Sequence, residues 1–391
     1  MSAKTETAAR ASLLAIALAT GFAALTASVA SAQEPATMRQ YQLAAAAPVG
    51  DSPASSAASQ TPPSGYALAL KTVPRPAAGP NEVLVRVRAV SLNRRDVSIL
   101  NVQYGPGGGR VAGTVPISDG AGEVVAVGPG VTRFAVGDRV AGIFFTDWID
   151  GPRDERTAPS ARGGGQGGML SEYVVGHEQG FVEVPDYLSF EEAATLPCAG
   201  VTAWVGLFRY GNLERDDYVL LEGTGGVSVF GLQLAAAAGA HPIITSSSDE
   251  KLARATQLGA FGTVNYRSHP DWQVEVRELT GGHGVDQVLE VGGQDTLPKA
   301  LQAMAFESHI ALIGGLSGFA SDVSLPALMG LGASASGIYV GSRADFEALN
   351  AFLAEHEIRP VIDRVFSFEQ AAAAFDLMEN GSFFGKIVIR L

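Results

Sequence analysis

Apolar positions in this chain follow two different rhythms. Between residues 66 and 146 they come in short alternating runs, EVLVRVRAV, GEVVAVG and DRVAGIFF, separated by Gly and Pro. Alternation with period two, punctuated by turn residues, predicts short strands and a mainly β domain. Within VGPGVTRFAVGDRV (127–140), Gly137-Asp138 reads as a hairpin-type turn. From Tyr218 the runs become continuously apolar. YVLL, HPIIT (241–245), GTVNY, GVDQVLEVGG and SHIALIGG are each separated by a helix-like segment, such as SSSDEKLARATQLGA (246–260) with Ser248 placed as N-cap. Strands buried on both faces and alternating with helices predict an α/β, doubly wound parallel sheet. PVIDRVFSF, a helix from about Glu369 to Met378, and GKIVIRL close the chain, and these last strands are suited to rejoin the first domain. No internal repeat is visible.

Three stretches break these rhythms. Residues 44–65 are rich in Ala, Ser and Pro and nearly free of large apolar groups, which predicts a mobile loop rather than core. Residues 147–168 are polar and glycine-rich, and are expected to be flexible and to lie on the surface. Residues 1–32 combine a basic start (Lys4, Arg10), the apolar core LLAIALATGFAAL and a small-residue Ala30-Ser31-Ala32 end. That order predicts a secretory signal peptide and export; the alternative is a cytoplasmic protein whose translation starts at Met38.

Totals narrow the function classes. The 391 residues are 47% apolar, enough for two domains with substantial cores. A net charge of −13 without a long basic run argues against nucleic acid or an anionic membrane as the main partner. One cysteine, Cys198, leaves no intramolecular disulfide and no multi-cysteine zinc site.

The segment YVLLEGTGGVSVFGLQLAAAAG (218–239) carries the chemistry. It reads as a strand, a glycine turn and a helix opening at that turn, so free N–H groups and the positive helix end face one point. Gly223, Gly225 and Gly226 permit a sharp turn and close approach of phosphates; Thr224, Val227 and Ser228 are expected to offer backbone N–H groups to a pyrophosphate. A glycine-rich loop opening an ordinary helix is the plainer alternative. The βα units that follow favour a dinucleotide, with Ser246–Ser248 and Gly314–Gly315 clustering near the turn at the strand ends. Near the second strand end an NAD-selective site would present an acid. This chain presents Thr245, Ser246, Ser247 and Ser248, with Lys251 one turn on, which suits a 2′-phosphate and favours NADP(H) over NAD(H). The competing reading of Lys251 is an exposed helix face.

Five ordered stretches make the chain resemble the medium-chain dehydrogenase/reductase superfamily, in its zinc-independent, quinone oxidoreductase-like and alcohol dehydrogenase-like branch. They are EVLVRVRAVSLNRRD (82–96), SDGAGEVVAVGPGVTRFAVGDRV (118–140), AATLPCAGVTAW (193–204), the GTGGVS turn and FGKIVI (384–389). The resemblance implies a GroES-like β domain (38–190 and 338–391) with an inserted Rossmann domain (191–337), and an active cleft between them. It further implies homodimerisation through the edge strand of the nucleotide domain. Zinc-dependent relatives place a cysteine at Asn93, Gly-His-Glu at Ile117-Ser118-Asp119 and a third ligand at Cys198; these residue types predict no metal. Gly176-His177-Glu178 falls too late in the order, and His177 is expected at the surface.

By the same resemblance, Thr202 faces the cofactor, Arg267 adds charge near the 2′-phosphate, and Gly385 and Lys386 close over the nicotinamide side. Asn93 is a candidate donor to substrate or a turn residue, Asp96 a helix cap or catalytic group, and Asp119 a cleft residue or a structural one. Tyr104, Asp147 and Trp148 are candidates to line the substrate pocket, and Cys198 reads as a packed small residue rather than a reactive thiol. The expected function is an NAD(P)H-dependent oxidoreductase acting on an alcohol or carbonyl, or a quinone or enone. The alternatives are an enoyl reductase and an exported, non-catalytic cofactor-binding or small-molecule-binding protein.

Overall fold

A computed structural model of the protein describes residues 35–45, 65–101, 112–319 and 324–391. The expected leader (1–32), most of the 44–65 stretch and Tyr104 lie outside the described residues. Strands β1 (Thr37–Ala45) and β2 (Tyr66–Pro74) pair antiparallel along their full length. Ala44 and Ala45, which composition assigns to the low-complexity stretch, are therefore strand residues opposite Ala67 and Tyr66. Next come β3 (Glu82–Ser91), β4 (Asp119–Val127), β5 (Arg139–Gly142), β6 (Tyr173–His177) and β7 (Phe181–Glu183). In β3 Val83, Val85 and Val87 are buried on one face; on the other Leu84 is buried with Met38 and Tyr173 while Arg86 and Arg88 are only partly so. β4 runs antiparallel along β3, and β6 pairs with residues 82–86.

The 147–168 segment differs from its expectation. Trp148, Thr157, Ser160, Ala161 and Arg162 are buried, and its backbone is tied to the strand exit by Phe145–Ala161 bridging and by Arg162 N–H donating to the Phe144 carbonyl at 3.0 Å. Two large side chains, Trp148 and Arg162, anchor a stretch whose polar average suggests none.

The second sheet holds β8 (Tyr218–Leu221), β9 (His241–Ser246), β10 (Gly262–Asn265), β11 (Val285–Glu290), β12 (Met304–Leu312) and β13 (Ser334–Gly337). All pairings are parallel, in the order β10-β9-β8-β11-β12-β13. The direction of winding reverses between β8 and β11, where such sheets open a ligand crevice at their C-terminal strand ends. β13 reads SASG, with no large apolar residue, so no pattern announced it; pairing with β12 makes it a strand. The helix Gly226–Ala238 lies close on the sheet because a Cβ at Gly231 would come within 2.8 Å of Leu221 and Leu289.

After this sheet the chain returns. β14 (Ile362–Ser367) pairs parallel with β15 (Lys386–Arg390), and β15 pairs antiparallel with residues 89–91 of β3. The helix between them spans Ala371–Asn380, after a single 3-10 turn at Phe368–Gln370. A helical run from Leu196 to Tyr210 joins the two sheets, with π-helical turns at both ends of Val201–Trp204. Its inner residues enter the main apolar cluster with β8, Phe230 and Leu349.

Candidate active site

The glycine turn sits at the winding reversal. Gly223 has φ +70°, a conformation that costs a side chain strain, and a Cβ there or at Gly225 would meet nothing within 4 Å. Gly225 is the N-cap of Gly226–Ala238 and supplies no side-chain cap, so the first-turn amides of Gly226, Val227 and Ser228 have no intrahelical acceptor. That leaves the N–H groups and open space a pyrophosphate needs. The Ser228 hydroxyl is not among them: it is buried and donates to the Glu222 carbonyl at 2.6 Å, tying the turn together. The Thr224 carbonyl accepts from Gly385 N–H at 3.0 Å, and Gly225 bridges Gly385, so the end of the chain is fastened onto the turn.

At the next strand end Thr245 is buried and its hydroxyl accepts from Gly223 N–H at 3.2 Å, so it braces the turn. Ser246 is buried at the end of β9, and Ser247 is partly exposed. Ser248 caps the following helix by accepting from Lys251 N–H at 3.4 Å. Lys251 is partly buried, which lowers its pKa, and among the described residues its ammonium donates to the Gly381 carbonyl at 3.4 Å. Arg267 is exposed, with a guanidinium that makes no hydrogen bond or ion pair among the described residues. Two cations thus flank a serine-rich strand end. Gly314 follows β12 and donates to the Glu290 carbonyl at 3.2 Å; a Cβ there would stand 2.8 Å from the Val291 carbonyl. Thr202 is buried on the joining helical run.

Lys386 stands at the glycine turn and is not at the surface: the residue is 2% exposed. Its stem lies against the glycine turn, where a Cβ on Gly226 would come within 2.7 Å of Lys386 Cδ. Its ammonium donates to the Leu92 carbonyl at 2.7 Å and to Asn93 Oδ1 at 2.6 Å, with Asp119 Oδ2 at 3.8 Å. One lysine side chain therefore connects the phosphate turn to the cleft. Asn93, whose Oδ1 is engaged this way, has its Nδ2 sealed inside the fold, where the amide helps to hold the charge of Asp119. Its backbone N–H donates to Asp96 Oδ2 at 2.8 Å at the start of the helix Arg94–Leu100.

Asp96 and Asp119 are both shut away from the cleft surface. Burial raises Asp96 to about 6 against the pull of Arg95. Burial also raises Asp119, opposed first by Lys386. Asp119 accepts from the Ser118 hydroxyl at 2.7 Å and from Cys198 N–H at 3.1 Å, joining β4 to the helical run. Of their two sequence readings, this geometry is that of the cap and the structural carboxylate. Ile117, buried at φ +70°, bends the chain into this pair, a costly conformation for a β-branched residue. Trp148 is buried with its indole donating to the Gly151 carbonyl at 3.0 Å, while Asp147 is exposed. Phe145 sits between Trp148 and Tyr339, with ring centroids 6.0 and 5.3 Å away.

The groups at the three positions where zinc-dependent relatives hold the metal are an amide (Asn93), a hydroxyl (Ser118) that donates to Asp119, and a thiol (Cys198) that burial pushes up. An ammonium stands among them, so these residues do not fit a zinc ion. Among the described residues no group of three His, Cys, Asp or Glu could hold a metal. His177 ends β6, exposed, and Glu178 accepts from the N–H groups of Thr132 and Arg133 at 2.8 and 2.7 Å.

Sequence reasoning missed a buried acid pair at the winding reversal. Glu222 directly follows β8 and Glu290 ends β11. Glu290 Oε1 accepts from Gly292 and Gly293 N–H at 2.7 and 2.8 Å and from the Thr296 hydroxyl at 2.7 Å. Glu222 Oε2 accepts weakly from Val291 and Gly292 N–H, both at 3.3 Å. Glu222 Oε1 and Glu290 Oε2 meet no other donor, and burial with the Glu290 charge holds Glu222 well above its usual range. A proton held by Glu222 and bonded to Glu290 satisfies both. The signal was two acids at C-terminal ends of strands that become neighbours only through the sheet order.

Two family models match the chain: an alcohol dehydrogenase GroES-like domain over residues 79–186 and a zinc-binding dehydrogenase over 226–355. A zinc-type alcohol dehydrogenase-like protein of Schizosaccharomyces pombe is 41% identical over 318 residues, 80% of this chain and 91% of that protein. A quinone oxidoreductase of Pseudomonas aeruginosa is 36% identical over 310 residues, 76% and 87% of the two chains. Among solved structures, an NAD-dependent alcohol dehydrogenase superposes with a TM-score of 0.75 at 35% identity, covering 83% of this chain and 96% of its own.

Proposed function

The chain belongs to the medium-chain dehydrogenase/reductase superfamily, a family of NAD(P)-dependent oxidoreductases acting on small molecules, and from that premise we propose a zinc-independent enzyme that prefers NADP(H) and reduces a carbonyl, quinone or enone. When bound, the dinucleotide supplies the hydride. The rest falls to the chain's own groups. The open amides at Gly226–Ser228 hold the pyrophosphate, and Ser246, Ser247, Lys251 and Arg267 surround the place of a 2′-phosphate. The observation that carries the reading is the open glycine turn: Gly223 and Gly225 leave free space before first-turn amides that have no intrahelical acceptor. Without a metal to stabilise charge on a substrate oxygen, substrates that spread the charge by conjugation are favoured.

Steady-state oxidation of NADPH and NADH against a panel of quinones, enones and aldehydes tests this. The expected result is higher kcat/KM with NADPH, turnover of conjugated acceptors, and no zinc in the purified protein by elemental mass spectrometry. Absence of nicotinamide binding, or activity lost to a chelator and restored by zinc, overturns it; C=C rather than C=O reduction makes it an enoyl reductase. The same reading includes a homodimer and, from the composition of residues 1–32, export with removal of that segment, which the mass of the mature N-terminus checks.

A further inference from the structure

A second cavity, of about 400 Å³, lies wholly within the part of the chain that builds the first sheet, walled by residues from 38 to 180 and by none of 191–337. Its inner wall carries Arg162, which is 4% exposed. Arg162 Nε donates to the Ile143 carbonyl at 3.2 Å and Nη2 to the Gly180 carbonyl at 3.3 Å, and the guanidinium covers the Phe181 ring at 4.8 Å. Every one of these partners is neutral. Among the described residues no carboxylate forms an ion pair with Arg162, and Nη1, which makes no hydrogen bond there, is not among the sealed-off atoms of the interior. The remaining N–H donors therefore face the cavity.

A buried cation without a counter-charge is costly, and arginine cannot escape by losing its proton. Burial lowers this guanidinium only to about 10, so it is charged at neutral pH. Two acids also line the cavity, but both are engaged elsewhere: Glu82 accepts from Gly79 N–H at 2.9 Å, and Asp147 is exposed and accepts from the Thr146 hydroxyl at 3.0 Å. Gln166 stands at the same wall, its backbone bridged to Arg162. The one Thr146 hydroxyl proton is shared between Asp147 and Gln166 Oε1, the latter at 3.2 Å, and the Gln166 carboxamide NH₂ is a further donor. Glycines at 142, 176 and 180 make room for the guanidinium: a Cβ at any of them would stand 3.2 to 3.5 Å from one of its nitrogens.

We propose that this cavity is a binding site for a small carboxylate monoanion, held between the Arg162 guanidinium and the Gln166 amide and separate from the nucleotide cleft. A planar carboxylate matches the fork of an arginine, and the nearby Glu82 and Asp147 disfavour a doubly charged phosphate.

Isothermal titration of the full chain with sodium acetate, sodium phosphate and sodium chloride at constant ionic strength tests the assignment, without recourse to activity. The expected result is saturable acetate binding in the millimolar range, tighter than phosphate or chloride. Arg162→Met should weaken it by about tenfold or more, and Gln166→Leu by less. Retained nicotinamide binding in both variants shows that they are folded. Equal acetate affinity in wild type and Arg162→Met, or no saturable binding to wild type, overturns the proposal and leaves water as the occupant.

Discussion

Lys386 is where two jobs meet in one side chain. Its stem closes on the glycine turn while its ammonium orients Asn93 and neutralises Asp119. Lys386→Met should leave Asp119 as a buried charge without its cation, at a cost of ~3–5 kcal/mol. Adding Asp119→Asn removes that charge, so the double variant should be more stable than Lys386→Met alone. Urea unfolding of the four proteins in the cycle measures the coupling, and strictly additive losses would show that the two groups do not interact. Residue type announced neither contact: the resemblance put Lys386 on the nicotinamide side, and its burial follows from β15 lying beside the turn. Glu222 gives a second prediction. Its folded-state pKa is raised above the ordinary carboxylate value of 4.5, so the unfolded chain releases this proton at lower pH than the native one. Stability tied to the proton is complete below 4.5 and is lost as pH rises through the folded-state value. Glu222→Gln keeps an N–H donor toward Glu290 without titrating. Its unfolding free energy should fall less steeply than that of wild type across this range, and parallel pH profiles would remove the shared proton.

Scaled up to the turn itself, the three glycines have unequal reasons to be glycine. At Gly223 the constraint is conformational, φ +70° in open space, so Gly223→Ala should cost about 1–2 kcal/mol of stability. At Gly226 it is steric: an added methyl would press on Lys386 Cδ at 2.7 Å and Ala199 Cβ at 3.2 Å. The lysine stem can yield, so Gly226→Ala should spare stability more than Gly223→Ala while displacing the Asn93 amide, and NADPH titration by fluorescence should show about tenfold weaker binding or a comparable loss of kcat. The elements around the turn were legible because glycine, apolar runs and N-cap residues each impose a local geometry. What escaped was set by packing at a distance. The 147–168 segment is folded in by Trp148 and Arg162, two residues in a stretch of polar and glycine positions, and SASG becomes a strand only because β12 offers an unpaired edge.

For the whole molecule, that same edge is the place to look for a partner. Among the described residues β13 pairs with β12 alone, and the neighbouring helix Leu325–Leu331, which packs against β12, has no fully buried residue. Leu325 and Met329 on that helix are 67% and 81% exposed, and Phe306 at the start of β12 is 77% exposed. Apolar side chains this open beside a bare strand edge invite another sheet edge, and a second copy of the chain presents the same surface turned by a two-fold axis. Because the glycine turn lies between β8 and β11, away from this edge, loss of the dimer should leave dinucleotide binding intact. Light scattering after size exclusion is expected to give twice the chain mass for wild type and a single chain mass for Leu325→Glu with Met329→Glu, both retaining NADPH binding. A monomeric wild type would show that some other surface, or none, covers the edge; a dimer unaffected by both glutamates would move the interface elsewhere on the molecule.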